Sequence, residues 1–166
     1  MNVLVTNRTQ DRIPERRIKY CAAEILRCLV RRGWRKFSTY ELGIAFVGAR
    51  ESRILNERFL RKSKPANVLS FDYGSSGELI LCPEVIRREA AEAHETVDIR
   101  LLRLLVHGAV HLSGVHHEKH RTLERKAEKL EAALAKHLGC TGPAATSPPV
   151  RRGRGRTRLA QYIRRH

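Results

Sequence analysis

The sequence predicts an α+β fold in which a small mixed four-stranded sheet packs with about five helices and a metal site sits at the end of a central buried helix. Three observations point there. Short apolar runs of strand length occur beside amphipathic stretches of helical period, without the strict alternation of a parallel α/β protein. One stretch, from Val97 to Ser113, is so apolar that it must be largely buried. Two histidines four residues apart, His107 and His111, lie near the end of that stretch.

Taken in order, Val3 to Thr6 reads as a short strand, and Pro14 suits the first turn of a helix that presents Ile18, Cys21, Ile25 and Leu29 on one face. Gly33 is its natural stop. Leu42 to Val47 is a compact apolar run suited to a buried strand, followed by a helical segment through Ile54, Leu55 and Phe59 that ends in a basic cluster before Pro65. Val68 to Tyr73 and Glu78 to Cys82 read as two further strands, and the spacer Gly74-Ser75-Ser76-Gly77 favours a hairpin or short loop between them. Pro83 opens a helix with Val85, Ile86, Ala90 and Ala93 inward, and the apolar central helix comes next. Leu123, Ala127, Leu130, Leu134 and Leu138 then recur at helical spacing, with Gly139 closing the last helix.

A chain of 166 residues with 42% hydrophobic content fits one globular domain, here residues 1–138. Residues 139–150, rich in Gly, Pro, Ala, Ser and Thr, read as a flexible linker, and residues 151–166 as a basic, disordered arm in which seven arginines stand with no acid among them. The net charge of +16 calls for a polyanionic partner, nucleic acid first, because clustered cations displace counterions from phosphates. Aromatics make up only 5%, so recognition is expected to run through phosphates and shape, with weak sequence preference. Cys21, Cys28, Cys82 and Cys140 form no C-x-x-C pair, and three of them sit in apolar stretches, which fits a reducing compartment. With no signal-peptide pattern and no run near membrane-spanning length, a soluble cytoplasmic protein with no membrane partner is expected.

Five of the eight histidines fall between positions 107 and 120. Four residues is little more than one helical turn, so His107 and His111 project from one face and can share an ion. Gly114 can adopt the left-handed conformation that ends a helix, and the turn after it can return His117 as a third ligand, with His116 and His120 as possible substitutes. Three neutral imidazoles with an open fourth position describe a catalytic zinc site, whereas structural zinc is usually closed by four ligands and rich in cysteine. Histidine ligation also suits nickel, copper or iron. Gly108, inside a helix, normally has a packing or functional reason. It also excludes a metzincin-type peptidase, which needs a glutamate at that position as general base.

These residues resemble the YbeY family of bacterial metal-dependent endoribonucleases. His107-Gly108-Ala109-Val110-His111-Leu112-Ser113-Gly114-Val115-His116-His117 is similar to that family's H-G-x-x-H-L-x-G-x-x-H signature, and Lys64 to Phe71 and Gly77 to Val85 are similar to two further segments. The resemblance covers about residues 3–138 and does not extend to the tail. It implies three histidines on zinc, cleavage of single-stranded RNA, and a role in processing the 3′ end of small-subunit rRNA and in ribosome quality control. Three positions depart from the pattern: His116 and Glu78 stand where the family usually has aspartate, and the family's catalytic arginine falls on Leu60, with Arg61 beside it.

The expected machinery is therefore His107, His111 and His117 on one zinc ion, His107 and Arg61 as catalytic residues, and Arg58, Lys62 and Lys64 as the substrate-binding cations. Two other readings are a non-catalytic rRNA-binding assembly factor with a structural metal and a metal-dependent hydrolase of another substrate.

Overall fold

A computed structural model describes residues 1–114 and 121–138 of the chain. Its elements run β1 (Asn2–Asn7), α1 (Glu15–Arg31), a short 3-10 turn (Arg35–Ser38), β2 (Glu41–Phe46), α2 (Ala49–Leu60), β3 (Val68–Asp72), β4 (Ser76–Leu81), α3 (Pro83–Glu92), α4 (Val97–Leu112) and α5 (Arg121–His137). This is the α+β arrangement expected. The sheet has the order β1-β2-β4-β3 and is mixed: β1, β2 and β4 are parallel, and β3 returns antiparallel to β4.

Alternation along the strands divides the core. Val3, Val5, Leu42, Ile44, Phe46, Leu79 and Leu81 face α1, α4 and α5, whereas Ala45, Leu69 and Ile80 point to the other side, where they pack with Leu55 of α2. The central strand β4 is buried along its whole length, so even Ser76 and Glu78 lie inside. On α1, Ile18, Cys21, Ile25 and Leu29 are buried as their spacing predicts. Cys82 is also buried, and burial pushes its thiol above the usual range, which suits an inert core residue. Cys140 lies outside the described residues.

Several boundaries differ from the pattern reading. Ser76 and Gly77 belong to β4 and not to the spacer, because the turn is closed earlier by the Tyr73 N–H donating to the Ser76 carbonyl at 2.8 Å. Pro14 caps α1 from outside its first turn. Ala93 is exposed: α3 ends at Glu92, so Ala93 lies past the helix and its inward phase is lost. Gly33 and Gly114 do take positive φ, 101° and 81°, each just past the end of a helix. Leu130 and Leu134 of α5 are buried, whereas Gly139, the linker and the basic arm lie outside the described residues.

Helix α4 sits across the middle of the sheet, and Gly108 is what lets it approach. A Cβ there would stand 2.7 Å from Leu79 Cδ2 and 3.2 Å from Ser70 Oγ. The helix backbone thus rests on β4 and β3, and the turn carrying His107 and His111 is fixed against the edge strand.

Candidate functional site

His107 and His111 come together as their spacing requires. Their Nε2 atoms are 2.9 Å apart and their rings are steeply inclined, at 78°. His107 Nδ1 lies 2.9 Å from Glu131 Oε1 of α5. A carboxylate can only accept, so that contact assigns the proton of a neutral His107 to Nδ1 and leaves the Nε2 lone pair directed at His111. Tetrahedral zinc at ordinary Zn–N lengths holds two nitrogens about 3.3 Å apart, so the pair would need to open by only about 0.4 Å to admit an ion. The carboxylate behind His107 is the partner that metal-ligating histidines characteristically have. Both rings are partly exposed, His107 to 39% of its side chain, so the pair faces solvent and not the core.

Two of the three expected ligands are thus adjacent. His117, with His116 and His120, lies outside the described residues, and among the described residues no group of three or more His, Cys, Asp or Glu is placed to hold a metal ion. No sequence pattern singles out Glu131. Its only signal there is its position beside Leu130 on the helix whose buried stripe packs on α4.

The basic loop after α2 is built separately. Arg61 caps α2 with φ 56°, in the left-handed region that a non-glycine residue seldom adopts. Buried Ser52 and Asn56 on α2 tether the loop from beneath: Ser52 Oγ accepts from the Ala66 N–H at 2.9 Å and donates to its carbonyl at 2.8 Å, while Asn56 Nδ2 donates to the Lys64 carbonyl at 2.6 Å. The far wall is fixed by Glu89, whose carboxylate accepts from Asn67 Nδ2 at 2.8 Å and from Arg100 Nη2 at 2.7 Å. The hydrogen bond to Glu89 pushes the Arg100 guanidinium still further above its usual range, so this arginine is committed to the wall.

Between these supports lies an open groove of about 570 Å³ lined by Leu60, Arg61, Lys62 and Lys64 among others. Arg61 and Leu60, the two candidates for the family arginine's place, both line it. Arg58 is not among the lining residues; its guanidinium lies 5.8 Å from the Phe59 ring centroid. Neither histidine lines the groove. The groove includes Val68 at the start of β3, and the histidine turn abuts Ser70, two residues or about 7 Å further along that strand. One edge strand therefore carries both features, cations at its start and imidazoles beside its middle.

A family model described as Endoribonuclease YbeY matches residues 4–139. Proteins named Endoribonuclease YbeY are similar: that of Polynucleobacter asymbioticus is 42% identical over 111 residues, 64% of this chain and 71% of the relative. That of Burkholderia ambifaria is 37% identical over 113 residues, 64% and 65% of the two chains. The solution structure of a Thermotoga maritima protein shares the fold, with a TM-score of 0.57 at 20% identity over 90% of this chain and 99% of that one. Among the described residues, no helix is long and apolar enough to cross a membrane.

Proposed function

Because the chain belongs to the YbeY endoribonuclease family, we propose that it cleaves single-stranded RNA at a metal centre held by His107, His111 and His117. The observation that carries this reading is the convergence of the His107 and His111 Nε2 atoms at 2.9 Å, with Glu131 behind His107. Zinc fits a donor set of neutral imidazoles, and when bound it supplies Lewis acidity toward a phosphoryl oxygen and a more acidic water. The chain's own residues do the rest. His107 is fixed in the tautomer that exposes Nε2, and α4 holds both rings at the edge of β3. Arg61, Lys62 and Lys64 draw the phosphate backbone along the groove, and Arg61, on the helix cap, is the cation to meet charge building on phosphorus. The substrate we assign is ribosomal RNA of the small subunit, in keeping with the family resemblance and with the net charge of +16.

Two tests arise here. Glu131→Ala is expected to weaken zinc binding by roughly 10- to 100-fold, measured by competition with a chromophoric chelator, because His107 loses the partner that sets its tautomer. Glu131→Gln, which keeps an acceptor oxygen, should lose less; equal affinity in all three proteins would remove Glu131 from the site. The second concerns the arm at 151–166. Deleting it removes seven positive charges, so the plot of log affinity for RNA against log salt should become shallower. An unchanged slope would mean that the arm makes no phosphate contacts.

A further inference from the structure

The cations at the start of β3 have aromatic company. Phe59, in the last turn of α2, is 42% exposed, and its ring packs edge-on against Phe71 of β3 with centroids 4.9 Å apart. Phe71 is itself seated against the cluster of Leu55, Leu69 and Ile80, so the exposed ring stands on a fixed one. Arg58 places a guanidinium 5.8 Å from the Phe59 centroid, at the outer edge of cation–π range. From Arg58 to Phe71 the chain carries four cations and no acid. An apolar patch meant for a protein core would not need that border, and an anchor for phosphates alone would not need the rings.

We propose that Phe59, braced by Phe71, is a stacking platform for an unpaired nucleobase of single-stranded RNA, with Arg58 and the groove cations taking the flanking phosphates. This rests on the endoribonuclease reading and adds to it a physical basis for choosing single strands. In a duplex the bases are paired and stacked on one another, and their faces cannot reach a ring set beside a strand edge; in a single strand they can. Stacking accepts any base, so the platform gives strand selectivity with little sequence preference. The low aromatic content of the chain is no obstacle, because two of its four phenylalanines meet at this one place.

The test compares an oligouridylate with an abasic ribose-phosphate oligomer of the same length, titrated by fluorescence anisotropy against the full chain with chelator present to stop cleavage. Wild type should bind the oligouridylate about tenfold more tightly than the abasic oligomer, the margin of one stacked base. Phe59→Tyr should keep that margin. Phe59→Ala and Phe59→Leu should lose it, with melting temperatures near wild type, since leucine preserves the apolar contact with Phe71 but offers no π-face. The salt dependence should be the same in every variant. If the leucine variant retains the margin, or loses affinity equally for both oligomers, the platform is wrong while the endoribonuclease reading stands. If wild type binds neither oligomer and cleaves no RNA, that reading fails and the platform fails with it.

Discussion

His111→Ala should abolish cleavage of single-stranded RNA while sparing most of the RNA affinity and the fold. The reason lies in what the residue touches. Its Nε2 faces that of His107 at 2.9 Å on the partly exposed side of α4, and the nine buried residues of that helix all lie elsewhere along it. Truncating the ring removes a proposed metal ligand without opening the core. Loss of a partner behind a ligand already weakens metal sites by up to about 100-fold, so loss of the ligand itself should lower cleavage by at least about 100-fold. On the proposed reading, binding draws on Arg61, Lys62, Lys64 and the basic arm, and His111→Ala removes none of these cations. Single-turnover cleavage and anisotropy on the same preparation check this. A variant that cleaves at near the wild-type rate would show that the histidine pair has no catalytic part.

Gly108→Val should be the most damaging single change to the fold near the site. Even an alanine Cβ would stand 2.7 Å from Leu79 Cδ2, and Leu79 is almost wholly buried in the central strand. Alanine gains about 1 kcal/mol of helix propensity over glycine, which offsets part of an overpacking penalty of about 1–3 kcal/mol. Valine lacks most of that gain and adds two methyl groups. A loss of about 3 kcal/mol is expected, or roughly 10 °C in melting temperature for a domain of this size. Cleavage should fall as well, because the turn that must lift off the sheet is the one carrying both histidines. Trimming Leu79 to valine should return part of the loss, read as a favourable coupling in a double-mutant cycle. An unchanged melting temperature would mean that α4 can draw back from the sheet without penalty.

Much of this architecture is legible in the sequence because it is written in period and spacing. The four strands, the buried α4, the positive φ at Gly114 and the close approach at Gly108 stem from apolar periodicity and from the two ways glycine is used. The adjacency of His107 and His111 comes from helical geometry alone. Contacts between distant segments are what sequence patterns do not carry. Glu131 lies 24 residues from His107, and no local pattern separates it from a solvated helix charge. Ser52 and Asn56, which tie the basic loop to α2, look in sequence like ordinary polar helix residues. Phe59 and Phe71 belong to different elements, and only the pairing of α2 with the sheet brings their rings together. Proximity in sequence groups Arg58 with Arg61, Lys62 and Lys64, yet at the end of a helix neighbouring residues point in different directions, and Arg58 stands apart from the groove lining.

The most direct measurement is a zinc titration of the chelated, full-length protein with RNA cleavage monitored at each addition. Activity should be absent before zinc and should rise linearly to a plateau at one ion per chain, with no recovery in His107→Ala. Full cleavage by the chelated protein would contradict a three-imidazole metal centre, as would a plateau reached with no ion retained.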